Sequence, residues 1–355
     1  MPILFDRREL LIGGFAASLV SPRTVLAGDS MSVPIADMHA HLFFFGSNTP
    51  AKWPLRKTMA RGGVTLAAWS IVGDVPWIRP TKSGLKQVAT PKAGEASAWF
   101  RDELKRVKRH LDEQELKIVK EPQDVGRAQA GEPHVVLAVE GASFLDDDPD
   151  MLTFAYDEGV RHVQLVHYIR NTLGDFQTGK VENDGLTTRG TDIVSACNRL
   201  GILIDLAHCT PAAVTQALAV SKVPMVWSHG SVSRDANGQT SKVAWKARQL
   251  PLPEARAIAQ KGGVVGLWPL RSDVGGSVAA YADRLTQMAD WLGEDHVGFG
   301  TDMNAISNPA IRHYGDLRSV LDYWAERGVD AARIRKIAIE NYARVLKQAL
   351  GSRES

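Results

Sequence analysis

The segment IADMHAHL, residues 35–42, is a short apolar run that ends in polar side chains. This pattern recurs along the chain and decides the fold. Side chains two apart on a strand point to one face, so an extended segment would present Asp37, His39 and His41 together. Two imidazoles aimed at one point suit a transition metal such as zinc. For this motif alone, a strand-end histidine beside a solvated one is the alternative interpretation.

Seven more runs of strand length follow, mostly apolar throughout, as expected of strands buried on both faces. They cover residues 64–72, 134–142, 162–168, 201–208, 223–230, 263–270 and 296–303. Helical patterns lie between them, over residues 96–119, 150–158, 187–200, 211–220, 253–260 and 277–291. Strands that alternate with helices form a parallel sheet, and eight such units predict an α/β protein with a TIM-like (β/α)8 barrel. An open doubly wound sheet is the competing topology, which the absence of a G-x-G-x-x-G motif after the first run weakens.

Two segments punctuated by glycine and proline interrupt this alternation. Residues 73–94 follow the second run, and residues 231–253 follow the sixth. In a barrel, long loops after strands rise from the catalytic face and often cover the substrate, so the first segment is predicted to be a loop of this kind.

The composition is that of an ordinary globular chain of 355 residues, 44% hydrophobic and 23% charged. A formal charge of +2 gives no basic surplus that would indicate nucleic acid binding. Cys197 and Cys209 are the two cysteines, too few for a disulfide framework, and free thiols are expected.

The first 27 residues have the order of a secretory signal. Arg7 and Arg8 precede an apolar stretch over residues 10–20, and Val-Leu-Ala at 25–27 precedes a predicted cleavage point. The paired arginines indicate the Tat route, which predicts a protein exported to the periplasm or the extracellular space. An ordinary amphipathic helix is the alternative, and it explains the arginines poorly. Residues 28–355 are predicted to form one mature domain without a transmembrane span.

Six of the eight runs end in charged or imidazole side chains. These are His39, His41, Glu140, His167, His208, His229 and Asp302. In a barrel, the carboxyl ends of all strands meet at one mouth, where such enzymes place their chemistry. Polar groups at the ends of apolar strands are costly unless they are paired or bound, so their convergence predicts a functional site. Taken singly, Glu140 could instead contact a helix N-terminus, and His208 or His229 could be a hydrogen-bonded core histidine.

Four of the histidines and Glu140 fit a pair of zinc-like ions bridged by the carboxylate. Such a pair lowers the pKa of water toward neutrality and polarises a carbonyl group. Asp302 would then move a proton to the leaving group. Arg248 could clamp a substrate carboxylate with two parallel hydrogen bonds.

Several motifs in one order resemble the membrane dipeptidase (renal dipeptidase) family of zinc peptidases, from about residue 35 to residue 346. They are DMHAH (37–41), WS (69–70), VEGA (139–142), GVRHVQLVHYIRNT (159–172), GLTTRGTDIVSACNRLGILIDLAH (185–208), SHGS (228–231), RQLPLPE (248–254), HVGFGTDM (296–303) and ENYARVL (340–346). The resemblance implies a distorted (β/α)8 barrel, two zinc or other divalent transition-metal ions and a small peptide substrate. It leaves open whether the chain forms a homodimer.

By position, the resemblance implies five metal ligands, two for each ion and a bridging carboxylate. They are His39 and His41 for the first ion, His208 and His229 for the second, and Glu140 between them. It further implies that His167 contacts the scissile carbonyl or the tetrahedral intermediate, that Arg248 binds the C-terminal carboxylate of the substrate, and that Asp302 is the acid/base.

One departure concerns residue 41, where the family usually has aspartate and this chain has His41. A neutral imidazole in place of a carboxylate makes the first metal site more positive by one unit of charge. This change can acidify bound water, weaken the binding of that metal ion or change the preferred ion.

The leading prediction is an exported metallohydrolase that cleaves a dipeptide-like amide. A related barrel amidohydrolase for a non-dipeptide amide, such as an exported metabolite, is the alternative within enzymes. A non-catalytic barrel that binds metal or peptide is the third hypothesis, and Asp302 argues against it.

Overall fold

The computed structural model describes residues 33–41, 54–82, 84–146, 148, 150–233 and 244–354. The predicted signal segment lies outside these residues, as does part of the second predicted loop, residues 234–243. Among the described residues, no helix has both the length and the apolar character needed to cross a membrane.

Eight strands of a nine-stranded parallel sheet form the barrel, and each of the eight pairs with the next in chain order. They are β1 (Ile35–Ala40), β2 (Val64–Val72), β3 (His134–Glu140), β4 (Val160–Gln164), β5 (Leu203–Asp205), β6 (Val226–Trp227), β7 (Val264–Leu267) and β8 (Val297–Phe299). After β8, Met303 forms a parallel bridge with Ala40, and the Asp302 N–H donates to the His39 carbonyl at 2.9 Å. These bonds join the two edges of the sheet and confirm the predicted (β/α)8 barrel.

Helices surround the barrel and connect its strands. They are Leu55–Gly62, Glu95–Glu113, Pro122–Gln129, Met151–Asp157, Thr188–Leu200, Pro211–Val220, Ala244–Ala247, Leu252–Gln260, Arg271–Val274, Val278–Leu292, Tyr314–Glu326, Ala331–Arg335 and Asn341–Leu350, with a π-helical turn at Lys336–Glu340. The helix Pro211–Val220 has its predicted bounds because the Thr210 hydroxyl accepts from the Ala213 N–H and Pro211 fits the first turn.

Several predicted bounds are wrong. The runs predicted over residues 201–208, 223–230 and 296–303 contain only the shorter strands β5, β6 and β8. The helix predicted over residues 96–119 ends at Glu113, because Glu115 has φ +52° and cannot continue a right-handed helix. Lys117–Ile118 then pairs with β3 as a short parallel strand. The loop predicted over residues 73–94 contains an antiparallel hairpin, Ile78–Thr81 with Gly84–Gln87.

The core has an inner layer within the barrel and an outer layer between strands and helices. The inner layer includes Ala36 and Met38, together with alternate residues of β2 and β3 and the face of the last helix that carries Tyr342. This layer fixes the orientation of β1, and the β1–β2 register then shifts between Asp37 and Ala40. The alternation therefore breaks before His39 and His41.

Asp37 does not share the face of the two histidines, contrary to the prediction from the period of two. Its carboxylate accepts from the Thr301 N–H at 2.9 Å and from the Tyr314 hydroxyl at 3.0 Å. Burial raises the pKa of Asp37 to about 6, although these hydrogen bonds oppose the shift. Asp37 thus connects β1 by hydrogen bonds to the residues that follow β8, and it stabilises the strand that carries the two histidines.

Candidate metal centre

The residues predicted at the mouth do come together there, each in or within three residues of a strand end. Glu140 is the last residue of β3, and the histidines of the cluster are buried. His208 has φ +70° and Asp302 has φ +47°. Left-handed backbone at residues other than glycine is uncommon and concentrates at functional sites, where the surrounding structure holds it in place.

One carboxylate, that of Glu140, is the centre of the cluster. Five imidazole Nε2 atoms surround it. Four of them lie 3.3–3.5 Å from Glu140 Oε1: His39 at 3.4 Å, His167 and His208 at 3.3 Å, and His229 at 3.5 Å. The fifth, that of His41, lies 3.6 Å from Glu140 Oε2. Burial would raise the pKa of Glu140, but the charges of His167 and His39 and a hydrogen bond from His208 outweigh it and hold the pKa well below its usual range. Glu140 is therefore an ionised acceptor at the meeting point of the imidazoles.

His208 and His229 have the geometry of neighbouring ligands on one ion. Their Nε2 atoms lie 3.2 Å apart, and each is within 3.5 Å of Glu140 Oε1. Ligands 2.0–2.1 Å from a tetrahedral zinc ion are about 3.3–3.4 Å apart, so these three atoms fit three corners of such a site. Burial, followed by the charge of Arg248 and His167, lowers the pKa of His208, and burial with the charge of His39 lowers that of His229. Both rings are then neutral, as metal binding requires.

The donors on β1 form a second group. His39 Nε2 is buried and has no hydrogen-bond partner among the described residues, as expected of a nitrogen that serves a metal ion. His41 Nδ1 lies 3.2 Å from the Ser70 carbonyl, which can only accept, so this nitrogen carries a proton. His41 Nε2 is thereby directed toward Asp302 Oδ1, 3.0 Å away, and toward Glu140.

The donor atoms that lie within 4.8 Å of one another form three overlapping sets: His39, Glu140 and His229; His39, His41 and Asp302; and Glu140, His167 and His208. The donor chemistry therefore fits divalent transition-metal ions. The second set adds Asp302 to the donors predicted for the first ion. The assignment of particular ligands to each of two ions stays a prediction.

His167 is oriented by a carboxylate that the sequence analysis missed. Its Nδ1 lies 2.7 Å from Asp74 Oδ1, and Asp74 Oδ2 accepts from the backbone N–H groups of Tyr168 and Ile169 at 3.0 and 3.2 Å. Burial would lower the pKa of His167, but the charges of Asp74 and Glu140 outweigh it and raise the pKa. Asp74 thus fixes both the ring orientation and the proton on Nδ1.

Arg248 is buried beside the cluster and held in place by Gln177. One guanidinium nitrogen, Nη1, donates to Gln177 Oε1, whose own amide donates to the Gln249 carbonyl at 3.1 Å. The other, Nη2, lies 3.1 Å from His229 Nε2. A fixed guanidinium next to the imidazole cluster is suited to a planar carboxylate.

The site opens into a cavity of about 670 Å³. Its polar floor includes Glu140, Arg248 and Asp302, and its walls are largely apolar, formed by Leu85, Trp245, Trp268, Leu270 and Ile306, with Lys82 beside them. Leu85 and Lys82 belong to the hairpin within the first predicted loop, so this segment does border the cavity. The volume and the mixture of apolar walls with a few polar groups are typical of small-molecule sites.

Sequence reasoning found the residues that face the cavity but missed those that hold them. Four supporting residues were not predicted: Asp74, Ser70, Ser228 and Gln177. Two of them, Ser70 and Ser228, lie inside the motifs WS and SHGS. Asp74 stands two residues after β2, at a strand end like the residues that were found. A rule that extended each strand end by two residues would have included it.

The cysteines are free, as expected, and both are buried. Burial raises the pKa of the Cys197 thiol to about 12. Cys209, adjacent to His208, also has a raised pKa because of burial, and it belongs to none of the three donor sets.

Comparisons with known proteins agree on the fold. An amidohydrolase from Pseudomonas aeruginosa has a TM-score of 0.74 at 20% identity, over 92% of this chain and 99% of that one. A metallopeptidase from Rhodobacter sphaeroides, solved with a phosphinate mimic of the dipeptide L-Ala-D-Ala, has a TM-score of 0.71 at 22% identity, over 90% and 99%. At this level of identity, the likeness concerns the barrel architecture alone.

Sequence comparison identifies the family. An uncharacterized dipeptidase of Schizosaccharomyces pombe is 31% identical over 224 residues, 60% of this chain and 52% of that protein. The chain spans about half the length of the curated relatives it matches. The model of the family "Membrane dipeptidase (Peptidase family M19)" matches residues 48–354, a range that begins after His39 and His41. With nearly the whole barrel matched, the chain belongs to the membrane dipeptidase family, peptidase family M19.

Proposed function

We propose that the protein is a metal-dependent dipeptidase that uses two zinc ions to hydrolyse the amide bond of dipeptides or dipeptide-like substrates. The observation that carries the proposal is the ring of five imidazole Nε2 atoms within 3.6 Å of the Glu140 carboxylate. A buried histidine cluster of this density is costly unless it binds cations. Membership of family M19 supports the same activity.

The ligands in this proposal are those predicted from the sequence: His39 and His41 for one ion, His208 and His229 for the other, and Glu140 for both. When bound, the ions would lower the pKa of a water molecule and polarise the scissile carbonyl. The protein's remaining groups have the tasks of orienting the substrate and moving protons.

Three side chains carry these tasks. Arg248, fixed by Gln177, would hold the C-terminal carboxylate of the substrate through its guanidinium group. His167, fixed by Asp74, would direct its Nε2–H at the carbonyl oxygen and stabilise the negative charge that develops there. Asp302 would accept a proton from the attacking water and deliver it to the leaving amine, using the carboxylate oxygen that does not face His41.

The first test is zinc content together with turnover. Wild-type protein loaded with zinc should hold close to two ions per chain by elemental analysis and should hydrolyse members of a mixed dipeptide panel. Glu140→Ala should lose more zinc than any single histidine variant, because it alone would contact both ions. His296→Ala is the matched control, since Nδ1 of this half-buried histidine donates to the Gly263 carbonyl at 2.9 Å, away from the mouth. Full zinc occupancy in Glu140→Ala would refute the bridging role.

A second test concerns the kind of amide cleaved. If Arg248 binds the free carboxylate, dipeptides should be cleaved far faster than the matching dipeptide amides, which lack that charge. Arg248→Lys should narrow this difference, because lysine cannot form the two parallel bonds. Equal rates for acids and amides in the wild type would favour the alternative amidohydrolase function.

We propose further that the protein is exported in folded form by the Tat route. Support comes from Arg7 and Arg8, the apolar stretch that follows them and the small residue Ala27. Replacing both arginines by lysine should leave the precursor in the cytoplasm, as measured by cell fractionation and immunoblotting. Normal export of this variant would contradict the assignment.

A further inference from the structure

We propose that Ser228 is a positioning residue whose single hydroxyl orients one ligand histidine of each predicted metal site. The inference rests on the proposed two-ion function. Ser228 directly follows β6 and is fully buried. Its Oγ lies 3.3 Å from His39 Nδ1 and 3.0 Å from His229 Nδ1, and the centroids of these two rings are 4.0 Å apart.

The chemistry of imidazole explains what this contact does. A histidine that binds a metal through Nε2 is neutral and carries its proton on Nδ1, which must then donate to an acceptor. In that tautomer, His39 and His229 both donate from Nδ1, and a hydroxyl oxygen has two lone pairs that can accept both bonds. Ser228 Oγ is thereby placed to accept from both rings in their metal-binding tautomer, and this contact sets the direction of each ring.

The backbone of Ser228 is itself held rigidly, which makes the hydroxyl a fixed reference point. Its N–H donates to Asp205 Oδ1 at 2.9 Å, and the same oxygen accepts from the Ala207 N–H at 2.9 Å. Its backbone carbonyl packs against Gly266 in β7 and Gly300 just after β8. A Cβ added at Gly266 would lie 1.9 Å from the Ser228 carbonyl oxygen, and one added at Gly300 would lie 1.7 Å from it. Only glycine permits this approach.

Ser70, whose hydroxyl contacts the same His39 nitrogen, offers a matched control. Its Oγ lies 3.2 Å from His39 Nδ1, and its carbonyl accepts from His41. Its contacts are therefore with the two histidines of the first site. Ser70→Ala removes one hydroxyl from a buried site, as Ser228→Ala does, but it affects the ligand histidines of one predicted metal site rather than two.

The test measures zinc per chain against free zinc. Wild-type protein and the two alanine variants are dialysed against zinc–chelator buffers of graded free zinc and analysed for metal. We expect Ser228→Ala to weaken both binding steps by about 10- to 100-fold, the usual effect of removing a partner of a ligand histidine. Ser70→Ala should weaken one step only. A Ser228→Ala profile in which one step or neither moves would overturn the proposal, whereas a wild type without two zinc steps would overturn the two-ion function itself.

A second measurement separates positioning from general destabilisation. A structural role alone would lower the Tm of zinc-free and zinc-loaded Ser228→Ala equally, whereas loss of positioning should reduce the increase in Tm that zinc produces. Ser228→Thr keeps the hydroxyl and should restore both zinc steps. If Ser228→Ala fails to fold, ¹⁵N NMR of histidine-labelled, zinc-loaded wild type provides the test. His39 and His229 should each show a slowly exchanging proton on Nδ1. The absence of this proton at either ring would overturn the proposal.

Discussion

Replacing Asp74 by asparagine should lower kcat for dipeptide hydrolysis about tenfold while leaving the zinc content unchanged. Asp74 contacts no predicted metal ligand of the five, and it acts on the reaction only through His167. The substitution keeps the shape of the side chain and removes its charge, so its effect reports on what the carboxylate contributes to the imidazole.

The magnitude follows from the hydrogen bonds. Asp74 Oδ2 accepts from the N–H groups of Tyr168 and Ile169, and an asparagine oxygen can take over this role. Its NH2 group then faces His167 Nδ1, which must accept, so the ring becomes neutral and keeps its proton on Nε2. The reverse rotamer would leave two buried N–H groups unpaired at about 1–3 kcal/mol each.

His167 would therefore still donate to the carbonyl oxygen, but from a neutral rather than a charged ring. Charged hydrogen bonds contribute about 1.5–3 kcal/mol and neutral ones about 0.5–1.5 kcal/mol, a difference of about 1–1.5 kcal/mol. This difference corresponds to roughly a 5- to 12-fold fall in rate. Complete removal of the donor in His167→Ala should cost more, about 10²- to 10³-fold.

Steady-state kinetics on one dipeptide, with zinc content measured on the same samples, provides the assay. Asp124→Asn is the matched control, because Asp124 is also buried and its Oδ2 also accepts from two backbone N–H groups, those of Lys120 and Glu121, at 2.9 and 3.2 Å. It lies in a helix cap away from the mouth, so Asp124→Asn should lower Tm without lowering kcat.

A double-mutant cycle tests whether Asp74 acts through His167. In a His167→Ala background, Asp74→Asn should have almost no further effect on kcat, since the residue through which it acts is gone. A tenfold loss that persists in that background would show that Asp74 acts by another route. A wild-type rate in Asp74→Asn itself would refute the role assigned to His167.

Three further predictions concern the ligands, the cavity and the thiols. His41→Ala should lose the zinc ion of the first site, whereas His41→Asp, which restores the usual residue of the family, should retain it; elemental analysis that finds two ions in His41→Ala would contradict its role as a ligand. Trp268→Ala removes a wall of the cavity and should raise KM about tenfold for dipeptides with large apolar side chains, with a smaller change for alanine dipeptides, because burial of such a side chain contributes about 1.5–3 kcal/mol; a uniform change across a substrate panel would count against it. Cys197 and Cys209 should both resist a thiol reagent at pH 8 and both react in guanidinium chloride, because burial and a raised pKa suppress the thiolate; spectrophotometric titration that counts a reactive thiol in the native protein would disagree.

The barrel was predictable from sequence because its strands are buried on both faces and read as continuous apolar runs. A strand such as β3 needs no alternation to be recognised, and a glycine or proline at the edge of several runs, such as Gly63 and Gly73 around β2, marks where they begin and end. The hairpin Ile78–Thr81 with Gly84–Gln87 was missed for the opposite reason. Its residues are mostly exposed or half-buried, so they lack the apolar signal by which the barrel strands were found.

The face of β1 shows where local periodicity stops being informative. A strict period of two places Asp37 with His39 and His41, but the inner layer takes Ala36 and Met38, and the register with β2 shifts after Asp37. Packing inside the barrel decides the orientation of the strand, and the irregularity then turns the histidines toward the mouth. No pattern within eight residues contains that information, since it depends on contacts with other strands.

Closure of the barrel explains how one carboxylate can meet imidazoles from four strands. His39 comes from β1, His229 follows β6, and these strands are five positions apart in the sheet order. In an open sheet with strands about 4.8 Å apart, that separation would be about 24 Å, whereas the two ring centroids are 4.0 Å apart. The doubly wound alternative could not have built this site. The bonds that close the barrel, from Asp302 N–H to the His39 carbonyl and from His41 N–H to the Met303 carbonyl, involve predicted site residues themselves, so closing the sheet and assembling the metal centre are the same structural event.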